Sequence, residues 1–340
     1  MHPEGIIELF TITNRSGASV TLCNIGAGIV SVRISDRSGS MGEVALGYRD
    51  PVDYFGDGPC MGKTPGRFAN RVSNARFFLD GKGYNLSRNK GRHHLHGGEN
   101  GFSDKLWNAS VENDKIVFEL RSPDGDQGYP GNMNVRAEYS WNDDNELKIV
   151  FTAVSDRDTI INLTNHAYFN LAGEDSGSVL EHKLRLYASG WLEADGDLIP
   201  TGKILSVEGT PMDFRVSKRI GQDMGAAFPA LKNGKGYDSC WVVDGWEKGR
   251  LSAVAELQEE ASGRRLKVFS TQPGVQVYTG NWLAGSPSGS GGRQYKDYDG
   301  VAIECQGFPD SPNRPGFPTA VLRADEKYTQ TIIYAFSADA

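Results

Sequence analysis

The segment ELKIVFTAV, residues 146–154, places Leu147, Ile149 and Phe151 at alternate positions, with polar or smaller neighbours between them. An apolar period of two is the signature of a strand with one face buried, because successive side chains leave opposite faces of the pleat. The same alternation recurs outward from this segment in both directions. Ile116, Phe118 and Leu120 alternate with Lys115, Glu119 and Arg121. Leu184 and Leu186 alternate with Lys183 and Arg185, and Leu266 and Val268 with Arg265 and Lys267. Turn signals separate the runs: Asp80-Gly81, Asp124-Gly125, the cluster at 142–145, Asp244-Gly245 and Ser262-Gly263. With 42 glycines and 15 prolines there is little room for long helices, and short ones are expected only at 50–55 and 220–228. No strand–helix rhythm argues for a parallel α/β sheet, and no period of 20–50 residues argues for a solenoid or propeller. The Gly/Ser-rich stretch 285–292 reads as a mobile surface loop, since strand patterns continue on both sides of it. The expected architecture is all-β, one large antiparallel β-sandwich domain over residues 1–340.

Bulk properties narrow the function classes. A chain of 340 residues can bury a large core without disulfides. A net charge of -7 and a pI near 5.5 disfavour nucleic-acid partners, which require a positive field. A neutral or weakly acidic small molecule suits this balance better than a polyanion. Cys23, Cys60, Cys240 and Cys305 are too sparse for a disulfide framework and too scattered for a zinc ribbon, so each reads as a small buried hydrophobe. The N-terminal residues show no signal-peptide pattern, and no apolar stretch is long enough to span a bilayer. The expectation is a cytoplasmic protein, monomer or homodimer, with no membrane and no nucleic-acid partner.

Three polar segments carry candidate chemistry. In the strand-like run 301–306, alternation sets Val301, Ile303 and Cys305 on one face and Ala302, Glu304 and Gln306 on the other, either solvent or the floor of a cleft. In NHAYFNL, residues 165–171, an extended chain would put Thr164, His166, Tyr168 and Asn170 on one face. A histidine paired with a remote carboxylate is what proton transfer between oxygens requires. In HHLHGG, residues 93–98, the pair His94 and His96 invites a metal reading, since alternate strand residues can ligate one ion. Against it, Arg88 stands where a cupin-type motif would need glycine. The following Gly97-Gly98 suggests a tight turn that lets backbone approach a ligand. Arg67 and Arg71 are four apart beside Asn70, either a solvated pair or a guanidinium fork aimed at hydroxyl groups. Gln276 and Tyr278 share a strand face, and Asp238 follows a glycine-rich turn.

Together these segments closely resemble the aldose 1-epimerases, or galactose mutarotases. The matching pieces, in the family's order, are GRFANRVSNARFFLDGKGYNL (66–86), HHLHGG (93–98), DGDQGYPGN (124–132), NHAYFNL (165–171), GYD (236–238), PGVQVYTGN (273–281) and AIECQGFPDSPN (302–313). The resemblance implies a large antiparallel β-sandwich. It also implies an isomerase that interconverts the anomers of a free monosaccharide such as galactose or glucose, with no cofactor and no metal. Glu304 would be the general base at the anomeric hydroxyl and His166 the general acid at the ring oxygen, on opposite edges of the pyranose. His96 would hydrogen-bond the ring oxygen. Asn70, Arg71, Asp238 and Gln276 would bind hydroxyls, with Tyr168 as a wall. Such roles call for a raised pKa at Glu304 and one near neutrality at His166. Ser239 stands where the family usually has histidine after the aspartate, and the doublet His93-His94 is less usual. A non-catalytic sugar-binding protein and a sugar-phosphate epimerase are the rival readings on the same fold.

Overall fold

The computed structural model describes residues 5–339. The strand Glu146–Ser155 lies inside a nine-stranded sheet, between Met133–Trp141 and Lys327–Ala338. Its Leu147, Ile149 and Phe151 are fully buried. A six-stranded sheet runs in the order Tyr168–Phe169, Val301–Gln306, Gly274–Tyr278, Asp238–Val242, Gly190–Ala194, Pro200–Ser206. Pairing within both sheets is antiparallel throughout. Leu147, Ile149 and Phe151 of the larger sheet share one continuous apolar core with Val275, Val277 and Ile303 of the smaller. At roughly 1.5–3 kcal/mol per buried aliphatic or aromatic side chain, this shared face is what holds the sheets together. A four-stranded sheet, Leu9–Thr13 to Met41–Glu43, adds Val20, Leu22 and Ile29 to the same core.

The run 301–306 obeys the alternation read from sequence. Val301, Ile303 and Cys305 enter the large core, while Ala302 packs with Tyr48, Tyr168 and Leu283 in a second cluster on the opposite side. With both faces covered, all six residues are buried, Glu304 included. All four cysteines are free and buried. No helix among the described residues is long and apolar enough to cross a membrane.

Three local expectations are corrected. The helical segments are single 3₁₀ turns, Pro51–Tyr54 and Ile220–Asp223, and the one α-helix among the described residues is Pro229–Gly234, which opens on Pro229 at its first turn. The stretch 285–292 is fastened rather than loose. Arg49 N–H donates to Ser288 O (3.1 Å), Ser290 N–H to Glu174 Oε1 (2.7 Å), and the Tyr295 hydroxyl to Gly47 O (2.7 Å). Gly97 does serve a close backbone approach, but to the chain itself: at φ +89° a Cβ would sit 1.6 Å from Gly66 O. Gly97→Ala is therefore expected to cost about 3–5 kcal/mol through backbone strain and overpacking, read as a lowered urea midpoint.

Candidate active site

Glu304 sits mid-strand, directly opposite Gln276 in the neighbouring strand. One strand further on, Asp238 accepts a hydrogen bond from Gln276 Nε2 at 2.6 Å. The other side is built by the short ladder Arg71–Val72 against His94–Leu95. Asn70 precedes it in the left-handed region at φ +64°, which turns its amide side chain back to accept from Arg71 N–H at 2.8 Å. Arg71 Nη2 lies 3.7 Å from Asp238 Oδ2, so the guanidinium crosses the cleft floor from one wall to the other. Glu304, His166, His96, Tyr168, Asn70, Arg71 and Asp238 all line one cleft of about 850 Å³. Gln276 does not reach its wall. It lies buried behind Asp238, with its Oε1 unpartnered.

His166 Nε2 stands 3.4 Å from Glu304 Oε1. The carboxylate and imidazole thus lie side by side. Burial drives both toward their neutral forms: the Glu304 carboxyl is pushed well above its usual range, helped by the nearby Asp238 charge. The same burial pulls His166 down to about 4, with the Lys63 cation adding to the effect, so it lies below the neutrality the sequence suggested. His166 Nδ1 and Glu304 Oε2 are buried with no hydrogen-bond partner in the protein. The Tyr168 ring lies 5.0 Å from the His166 ring and is held by its hydroxyl, which donates to Pro59 O at 2.9 Å.

His96 offers the clearest tautomer. Asn70 N–H donates to its Nδ1 at 3.2 Å, so in the neutral ring the proton resides on Nε2. Burial holds the ring neutral by pushing its pKa well below the usual histidine value. His96, His166 and Glu304 offer ligand atoms within 4.8 Å of one another, a two-histidine, one-carboxylate set. A metal on His96 Nε2 would force the proton onto Nδ1, against the Asn70 N–H. The set therefore fits a hydrogen-bond donor aimed at an oxygen better than a metal ligand. The His94/His96 metal pair does not form either. His94 is turned away, its Nδ1–H donating to Ser87 O (2.6 Å) while its Nε2 accepts from the Tyr129 hydroxyl (2.6 Å).

Other candidates resolve into structural roles. Arg67 is buried with its guanidinium spent on the Ser122 hydroxyl, Ser122 O, Pro123 O and Pro130 O, all at 2.8–2.9 Å. It forms no fork with Arg71. The extended face expected at 164–170 shortens to Tyr168–Phe169, because Asn170 turns to bind Gly177 O and Asp299 O and Thr164 is fully buried. Only His166 and Tyr168 of that face reach the cleft. Ser239, between the core residues Tyr237 and Trp241, leaves the strand on the face opposite Asp238. No residue of 285–295 lines the cleft. Trp282, 66% exposed at its rim, was missed in the sequence, though an aromatic just beyond PGVQVYTGN was a usable signal. Asp197 was missed too. It comes from a turn more than a hundred residues from its partners Arg92 (3.1 Å) and His93 (3.2 Å), with no local pattern to mark it.

A profile of the family described as aldose 1-epimerase matches residues 8–335. The Escherichia coli (strain K12) protein named aldose 1-epimerase is 39% identical over 335 residues, covering 98% of this chain and 96% of its own. Galactose mutarotase of Bos taurus is 37% identical over 333 residues, covering 98% of this chain and 95% of its own. Among solved structures, a GalM/aldose epimerase homologue from C. elegans has a TM-score of 0.88 at 32% identity, covering 98% of this chain and 100% of that one. Galactose 1-epimerase from Lactobacillus acidophilus NCFM has a TM-score of 0.85 at 27% identity, covering 98% and 99%. With two histidines, a carboxylate and further polar side chains gathered in one cleft of a chain matched end to end, the protein belongs to the aldose 1-epimerase family and is an isomerase of that class.

Proposed function

We propose that this chain interconverts the α and β anomers of free aldohexoses such as galactose and glucose, working as a single domain with Glu304 and His166 as its proton-transfer pair. The observation that carries the reading is their 3.4 Å contact. The anomeric hydroxyl and the ring oxygen are both bonded to C1, so adjacent groups can serve both. In the form that places the pair's one proton on His166, the Glu304 carboxylate takes the proton from O1. The C1–O1 double bond forms, and the C1–O5 pair moves onto O5, which receives a proton from His166 imidazolium. The open aldehyde rotates about C1–C2 and recloses with the roles reversed.

His96 supports the step by pointing its Nε2–H at the ring oxygen, where negative charge develops. Asn70, Arg71 and Asp238 present a fixed set of donors and acceptors to the ring hydroxyls. Gln276 acts through Asp238, orienting its carboxylate. Tyr168 supplies a flat apolar wall. The four free thiols suit a cytoplasmic setting.

Polarimetry of freshly dissolved α-D-glucose and α-D-galactose tests the assignment. Glu304→Gln is expected to lower kcat by roughly 10²–10⁴-fold with the fold retained. A variant that relaxes optical rotation at the wild-type rate would remove Glu304 from the mechanism.

The pair is active when it holds one proton in total, whichever member carries it. With His166 lowered to about 4 and Glu304 raised, that state spans neutral pH. Activity is expected to stay level across the neutral range. It should fall on acidification only as the pH approaches about 4, where His166 gains the second proton, and on the alkaline side as Glu304 loses its own. An acid limb centred at an ordinary histidine value would place the imidazole in water. Nitrogen-15 NMR at neutral pH is expected to show His96 as the Nε2–H tautomer; an Nδ1–H signal would remove it as a donor to the ring oxygen.

A further inference from the structure

His166 hangs on an irregular neighbour. Its N–H donates to Lys63 O (2.9 Å), and its carbonyl accepts from Gly62 N–H (3.0 Å). Asn165 Nδ2 donates to Gly62 O at 2.7 Å, and Tyr168 is held through Pro59 O at 2.9 Å. The segment 57–63 therefore carries both the imidazole and its aromatic wall, yet it belongs to no strand. What fixes it is a buried charge cluster. The Lys63 ammonium is 1% exposed and pairs with Asp57, whose carboxylate is fully buried. Lys63 also reaches Asp104 Oδ1 (3.1 Å) and donates to Tyr54 O (2.6 Å). Asp57 Oδ2 accepts in turn from Met61 N–H (2.7 Å) and the Tyr48 hydroxyl (2.9 Å).

A buried ion pair is a weak source of net stability, because desolvation offsets the attraction, but removing one partner is severely disruptive. Its geometry, by contrast, is specific. We propose that the Lys63–Asp57 pair is a positioning device for the proton-transfer step, holding the 57–63 segment so that His166 meets Glu304 and Tyr168 meets the sugar. This deepens the mutarotase reading above and rests on His166 acting as the acid.

Lys63→Met alone would strand the Asp57 charge and endanger the fold. The double variant Asp57→Asn/Lys63→Met removes both charges together, and the new amide can still bond Tyr48. By polarimetry on α-D-glucose it is expected to keep KM within about twofold and to lose roughly 10–100-fold in kcat, the penalty of a displaced catalytic group. Wild-type kcat in the folded double variant, or a loss confined to KM, would overturn the proposal. Asp104→Asn, altering only the partly exposed arm of the cluster, decides the matter if the double variant does not fold. A severalfold drop in kcat at unchanged KM supports the role, and an unchanged kcat overturns it. His166→Gln run in parallel separates the two readings. If it keeps the wild-type rate, the acid assignment falls and the device with it. If it is inactive while the cluster variants are normal, only the positioning role falls.

Discussion

A carboxyl group enclosed at the middle of a strand is the constraint around which this molecule is arranged. Ionised carboxylates are expensive to remove from water, by several kcal/mol each even after relaxation. Glu304 makes no direct ion pair with a lysine or arginine among the described residues, and the nearby Arg71 guanidinium lies 3.7 Å from Asp238. The contact with His166 offers the alternative, a shared proton that leaves neither group charged at neutral pH. Everything that fixes the distance between them then matters: the strand ladder carrying Glu304, the 57–63 segment carrying His166, and the two sheets whose common core keeps these elements from drifting.

Behind the walls, Arg67 and His94 are buried with their polar side-chain atoms satisfied. Arg67, four residues before Arg71, is fully enclosed and binds carbonyls from the 122–130 region. His94, two residues before His96, joins Ser87 and Tyr129. In each pair one member faces the cleft and the other clamps the loop behind it. A histidine or arginine near a site is as readily a brace as a participant, and only the partners of its polar atoms tell the two apart.

Much of this was legible in the chain. The alternation around Phe151 specified strands, and the pattern from Val301 to Gln306 correctly set Glu304 apart from the core-facing residues, because a period of two is fixed by backbone geometry alone. The ordered motifs located the cleft. What escaped depends on where long or turning segments end. The spacing of Arg67 and Arg71 does not reveal that their guanidinium groups part company. The apparent polar face of NHAYFNL breaks because Asn170 finds carbonyl partners supplied by a distant turn. Glycine and serine in 285–292 signalled freedom, whereas Glu174, over a hundred residues earlier, holds the loop down. Those are tertiary facts, with no trace in local composition.

The depth of the Glu304–His166 pair also bears on how successive turnovers connect. Under the proposed roles, ring opening moves one proton onto the carboxylate and one off the imidazolium, and reclosure reverses both. The site therefore ends each cycle in the ionisation state in which it began. No proton need be fetched from solvent or released to it, and a pair shut away from water loses nothing by its isolation. Seclusion that would throttle an enzyme with net proton uptake is harmless here, because the chemistry resets its own catalyst.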